Sequence, residues 1–316
     1  MMVSSLEMVA TIDIGRGTAV DPSGNVYAMG YRATATGGGL HALFKVAPGG
    51  AVSSTLVPVV IAGPIASDAS GNIYVSDSEF CHGSSGCAIG DAPVHKVAPD
   101  GTVTSIPVTG SSNGSQTGVY TVNGLAVDAR GNVDISHDGY LASLSPTGDL
   151  VLIAGASVPS AQEVDGQGAM ARFAGPGGLA YDAAGNLYVA DGNTIRKVAP
   201  DGTVTTIAGR PFVAGTADGA GSLATFNFPY ALAVDPSGVI YVADSSDVDF
   251  GETGNALIRR IDPQGNVTTI AGTRGVVGFT PGPLPGVLDP PTGLALFGRD
   301  LYFTMQDSVG VVRNVP

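Results

Sequence analysis

The chain repeats a phrase. Residues 178–209 read GLAYDAAGNLYVADGNTIRKVAPDGTVTTIAG, and residues 231–272 repeat it as ALAVDPSGVIYVADSS, an insertion, then NALIRRIDPQGNVTTIAG. Weaker copies begin near Thr18, Ile65, Gly124 and Gly293. Self-similarity at a near-fixed period confines a chain to architectures in which one small unit stacks on its neighbours. That narrows the fold closely and the function hardly at all, because such scaffolds host unrelated activities.

Each copy has the same internal grammar. A short apolar stretch, Leu179-Ala180-Tyr181, ends in Asp182, and the turn Ala184-Gly185-Asn186 leads into Leu187–Asp191, rich in β-forming residues. A third strand, Thr194–Val198, stops at Pro200-Asp201-Gly202, and a fourth, Val204–Ile207, closes on Ala208-Gly209. Four short antiparallel strands make one twisted sheet, which buries both faces only when neighbours pack against it.

The turn aspartate recurs at Asp21, Asp68, Asp128, Asp182 and Asp235, at spacings of 47, 60, 54 and 53 residues. A sixth copy, Leu294–Tyr302, has Phe297 in that place and lacks a fourth strand after its third, Val309–Val315. Val9-Ala10-Thr11-Ile12 matches the pattern of Val204-Thr205-Thr206-Ile207. The N-terminal segment is therefore expected to complete the last blade and close a ring without free edges. The count predicts an all-β, six-bladed β-propeller occupying residues 1–316 as a single domain.

Composition excludes several function classes. The formal charge is -13, with 14 Lys and Arg against 27 Asp and Glu. Nucleic-acid affinity comes largely from neutralising phosphates, so a nucleic-acid partner is not expected. No apolar run approaches the ~20 residues of a membrane span. The opening MMVSSLEMVATIDIG lacks a charged segment followed by an apolar core and does not read as a signal peptide. The chain is expected to be a monomer.

These repeats resemble the NHL-repeat family of β-propellers, specifically its bacterial six-bladed type. The likeness covers essentially the whole chain and is strongest over residues 160–272. A second element supports it: Asp165-Gly166-x-Gly168-x-x-Ala171-x-Phe173-x-x-Pro176 recurs 53 residues later as Asp218-Gly219-x-Gly221-x-x-Ala224-x-Phe226-x-x-Pro229. It reads as an inter-blade loop with a short helical turn, its Phe plugging the seam between blades. The resemblance implies a binding or interaction module, or, from related six-bladed propellers, a metal-dependent lactonase-like hydrolase or a lyase. The zinc-binding His pattern of the lyase does not carry over, because none of His41, His82, His95 and His137 falls at the start of a first strand. An assembly or cell-surface sensor role is a third reading.

Strand order places the loops between strands two and three, and those between blades, on one face. The long insertions fall there, at Tyr31–His41, Glu79–Pro93, Asp244–Asn255, Arg210–Pro229 and Thr273–Pro291. Irregular loops on a rigid scaffold are where binding and catalysis concentrate, so any site is expected around the channel mouth on this face.

Strand two ends in Asp77, Asp191 and Asp244 in three blades, with His137 at the equivalent place in the third. These carboxylates read either as caps for loop amides or, with Asn123, as a partial ring of ligand-binding groups at the channel mouth. In blade three the Tyr of the other copies becomes Asp134, and Ser136-His137-Asp138 follows. An acid replacing a packing aromatic breaks the local rule, as functional sites do. His137, Asp134 and Asp138 are accordingly the catalytic candidates, with His137 as general base beside a carboxylate.

Asp244, Asp247, Asp249 and Glu252 crowd one insertion. This is a candidate calcium site, although the spacing does not match an EF-hand and a solvated acidic loop is the stronger reading. No cofactor is otherwise indicated. Cys81 and Cys87 flank His82 in CHGSSGC. A disulfide stapling the loop is the stronger reading over a metal site, since structural zinc usually takes four ligands, and it favours a secreted or periplasmic protein; a cytoplasmic one stays open. Arg196-Lys197 and Arg259-Arg260 alternate with apolar residues in strand three and read as a solvated strand face. The expected partners are a protein, peptide or glycan at the loop-rich face, or a small-molecule substrate.

Overall fold

In the computed structural model the chain forms six small sheets in a ring, a six-bladed β-propeller. The structure describes residues 5–11, 16–33, 39–59, 62–77, 94–111, 122–156, 162–245, 256–305 and 307–316. The innermost strands are Arg16–Val20, Ala62–Ser67, Gly124–Val127, Pro176–Tyr181, Pro229–Val234 and Gly293–Phe297, defining blades 1 to 6 in that order. Each sheet then runs outward through antiparallel neighbours, and in blade 3 the short outermost Gly110–Ser111 adds a parallel pairing to Asp149–Gly155.

Blade 6 takes its fourth strand from the other end of the chain. Ser5–Thr11 pairs antiparallel with Ser308–Arg313, Leu6 opposite Val312 and Glu7 opposite Val311. The strand starts earlier than the Val9–Ile12 match suggested. Leu6 is buried in the seam with Leu288 and Phe303, while Glu7 meets Arg313 at 3.0 Å on the surface.

The core is divided among the seams. The apolar residues fall into six clusters, each built from the facing sheets of two successive blades. Both faces of a middle strand are therefore buried, and alternation along it does not mark a solvent side.

The turn aspartate organises the hairpin between strands one and two. Asp182 Oδ1 accepts the N–H groups of Ala184 and Asn186, and Oδ2 accepts the Asn186 amide and the Tyr188 hydroxyl. Burial pushes this carboxyl up, but the Asn186, Tyr188 and Ala184 bonds outweigh it and hold the acid below the usual carboxylate range. Asp21 and Asp68 repeat the arrangement with Asn25–Tyr27 and Asn72–Tyr74. In blade 5, Val239 stands where the Asn would be, and Tyr241 donates instead to the Pro316 carbonyl.

The inter-blade element does what its repetition suggested. Gly168–Met170 is a 3-10 turn, and Phe173 is fully buried between blades 3 and 4. Phe226 takes the same place between blades 4 and 5. Gly166–Gln167 and Gly219–Ala220 add a short outermost pairing to the blades they lead into.

Candidate functional site

A cavity of about 580 Å³ opens at the channel mouth on the loop-rich face. The starts of the six inner strands form its wall, together with the Gly192-Asn193 hairpin tip and the segment entering blade 5. The inner strands approach closely. A methyl group at Gly124 would overlap the Gly177 carbonyl, and one at Gly293 would overlap the Thr18 backbone. Glycine there lets the ring close tightly below the mouth.

Asn123, Asn193, Thr18 and Thr292 place amides and hydroxyls on this wall, and Phe212, Phe228 and Tyr230 place aromatic rings there. Among the described residues the wall holds no carboxylate, imidazole or basic group. Glu163 stands just behind it: a Cβ on Gly192 would lie 3.0 Å from Glu163 Oε1. Its Oε2 accepts the Thr194 hydroxyl at 2.6 Å, Oε1 is buried without a hydrogen-bond partner, and burial raises the carboxyl above its ordinary range.

Of the expected ligand-binding residues, Asn123 lies on the wall, its Nδ2 3.4 Å from the Pro176 carbonyl. Asp77, Asp191 and Asp244 are fully buried at the ends of second strands, off the wall. Asp191 Oδ1 accepts the N–H groups of Ala174 and Gly175 at 2.9 and 2.8 Å, and Oδ2 pairs with Arg196 at 2.8 Å. Asp244 likewise accepts Asn227 N–H and pairs with Arg259, both at 2.7 Å. They cap the segment entering their own blade rather than the loop that follows. Burial pushes the Asp244 carboxyl up to about 6, against the pull of Arg259.

Arg196 and Arg259 are not on a solvated face: both are wholly buried. Arg196 stacks on Phe173, donates to the Arg172 and Val164 carbonyls, and reaches Asp165 at 2.8 Å. Arg259 makes the corresponding set with Phe226, Thr225, Ala217 and Asp218. Lys197 and Arg260, one residue on, are partly exposed.

The three catalytic candidates are divided. His137 Nε2 lies 3.9 Å from Asp138 Oδ2, and its ring meets Tyr140 edge-on at 5.1 Å. Asp134, three residues earlier on the strand, points to the other sheet face. There it accepts the hydroxyls of Ser143 and, across the seam, Tyr181. Burial pushes the Asp134 carboxyl up to about 6.

The calcium candidates Asp247, Asp249 and Glu252 lie outside the described residues, as do Cys81, His82 and Cys87. Within the described residues no three His, Cys, Asp or Glu side chains gather as metal ligands. Asp244 offers a metal little, with both oxygens engaged. The described residues therefore offer no donor set that fits a lactonase-type metal. Tyr31–His41 is less of a loop than expected: Tyr31–Ala33 pairs with Gly39–His41 as an extended hairpin.

No helix among the described residues is long and apolar enough to cross a membrane. No family model and no curated protein matches the chain. Its similarity is to solved structures. One, from Bacteroides thetaiotaomicron and of unknown function, aligns at a TM-score of 0.73 with 17% identity, over 98% of this chain and 76% of that one. An auxiliary nutrient binding protein from the same organism aligns at 0.69 with 13% identity, over 96% and 69%. A gluconolactonase of Xanthomonas campestris aligns at 0.59 with 14% identity, over 98% and 89%. At these identities the likeness establishes the fold, a six-bladed β-propeller, and nothing finer.

Proposed function

We propose that this protein is a bacterial, exported NHL-type propeller that acts as a binding module, taking an uncharged ligand at the channel mouth. One observation carries the reading: all six blades contribute to a single cavity of about 580 Å³ whose described wall is aromatic rings, small polar side chains and glycine backbone. The volume falls within the ~300–1,000 Å³ of small-molecule sites, and a mostly apolar wall with a few placed polar groups is their usual composition. The similarity to a nutrient binding protein agrees with it.

A lactonase-like hydrolase, metal-dependent, at the same mouth is the second reading. The similarity to a gluconolactonase supports it, as does Glu163, an acid with a raised pKa beside the wall. Metal analysis of the purified chain, thermal melts with and without EDTA, and lactone turnover separate the two. A binding module keeps its melting temperature in EDTA and turns over no lactone. Stoichiometric metal, a large EDTA shift and turnover abolished by Glu163→Gln would establish the hydrolase instead.

A further inference from the structure

The cavity wall is asymmetric in a way the repeat makes visible. The two copies of the inter-blade element align residue for residue up to Pro176 and Pro229. Around those prolines the earlier copy has Gly175 and Gly177, and the later one has Phe228 and Tyr230. Phe212, upstream on the same segment, joins them on the wall. On two adjacent inner strands the same wall positions thus carry glycines in blade 4 and aromatic rings in blade 5, with the Tyr230 carbonyl against Gly178.

These rings are held where packing does not favour them. Phe212, Phe228 and Tyr230 are 59%, 57% and 48% exposed. Phe212 and Phe228 also sit at φ +57° and +56°, the left-handed region that side-chain-bearing residues avoid. An exposed apolar ring on a strained backbone is unfavourable on both counts, and strain of this kind clusters at ligand clamps. Burial gives no reason for either ring to be retained.

We infer that Phe212, Phe228 and Tyr230 form a stacking platform for a neutral saccharide. The inference rests on the channel-mouth reading and names its ligand class. A pyranose ring presents C–H hydrogens on one face, which suit the negative face of an aromatic ring. Its hydroxyls need donors and acceptors, and Thr292, Asn193 and Asn123 lie on the same wall, their side chains held in place by bonds to Thr304, the Phe226 carbonyl and the Pro176 carbonyl. The chain carries a net charge of -13, and no basic group lines the described wall. An acidic saccharide is therefore disfavoured, and a neutral one is selected.

The test is calorimetric titration of the full chain with short neutral oligosaccharides of the gluco-, xylo-, manno- and chito- series, and with an oligogalacturonide. At least one neutral series should bind and the oligogalacturonide should not. Phe228→Gly should weaken binding about tenfold, near the loss of one ring contact, while its melting temperature stays the same or rises as the strain is relieved. Tyr230→Ala should weaken binding similarly, and Tyr230→Phe should largely restore it. If no neutral saccharide binds, the inference is wrong. A peptide or planar apolar compound that binds and loses affinity on Tyr230→Ala would then leave the binding reading standing, and no binding by either would remove both. Saccharide binding indifferent to Phe228→Gly, Phe212→Ala and Tyr230→Ala would also overturn the platform.

Discussion

Arg259 Nη1 lies 2.7 Å from Asp244 Oδ2, and both side chains are completely buried. Blade 4 repeats the pair as Arg196 and Asp191, and blade 6 solves the same place without charge. There Met305 stands at the aspartate position and Gly310 at the arginine position, both buried. The Phe303 ring fills the space a side chain at Gly310 would need. One position in a repeated sheet thus supports two chemistries, each internally complete.

The pair should therefore be costly to break and cheap to replace. Arg259→Met leaves a buried carboxylate and two carbonyls without their donor, and should cost about 3–5 kcal/mol in urea denaturation. Arg259→Lys should recover little, because an ammonium cannot span Asp244, Asp218 and two carbonyls. Adding Asp244→Met to Arg259→Met should recover stability relative to the single variant. A double variant no better than the single one would contradict the account.

Asp134 gives a pH signature. Its folded carboxyl is raised to about 6 from an ordinary value of 3.8. A raised acid holds its proton more tightly folded than unfolded, so its contribution is fully present below about pH 4 and is lost as pH rises through about 6. Asp134→Asn should flatten this component. It should gain up to ~2–3 kcal/mol over the wild type at pH 8 relative to pH 4, the free energy of a shift of about two pH units. Denaturant melts of both chains at the two pH values measure the difference.

The turn carboxylates act with the opposite sign. Asp21, Asp68 and Asp182 are held low by their Asn and Tyr partners against the effect of burial. Their contribution is present above the ordinary carboxylate pKa and is lost as pH falls through the lowered folded value. Asp182→Ala should cost ~1–3 kcal/mol at pH 7, because it strands two backbone amides and the Asn186 side chain, and should lose this effect in acid. An equal cost at pH 7 and pH 2.5 would show that the charge of the carboxylate adds nothing to these hydrogen bonds.

Closure of the ring is separately measurable. Leu6 is 1% exposed, in the seam with Phe303 and Leu288. Leu6→Ala should cost ~2–5 kcal/mol, the range for a large-to-small change in a packed core. Glu7→Ala, at the exposed end of the Arg313 pair, should change stability by less than ~1 kcal/mol. Comparable losses from both would argue against a packed closing strand.

The blade pattern was legible because its signals are local: a turn aspartate, a glycine, then a β-rich run. Ring closure was legible because the sixth copy lacked a strand that the N-terminus matched. Arg196 and Arg259 misled for a physical reason. Alternating polar and apolar residues mark a half-exposed strand in an open sheet, but a propeller's middle strands are covered on both faces. Phe228 and Tyr230 carried a readable signal, since they replace Gly175 and Gly177 in an otherwise matched element. The left-handed backbone at Phe212 and Phe228 has no sequence signature, because β-turn chemistry points to Gly or Asn there.

The closing strand has a consequence for how the molecule is made. Glu7 and Arg313, which meet in the finished sheet, are separated by 306 residues. Joining such distant partners is thermodynamically mild, each doubling of loop length adding only ~0.6 kcal/mol. Its effect is on timing. A ribosome delivers Ser5–Thr11 well before its neighbour Ser308–Arg313, so this strand waits for the five intervening blades to be made before it finds its place. Until then the nascent ring carries two open edges, and a neighbouring chain can offer the same strand. Joining the two ends through a short linker and opening the chain between two other blades would let every sheet form from contiguous sequence, and should speed folding while leaving the finished ring unchanged.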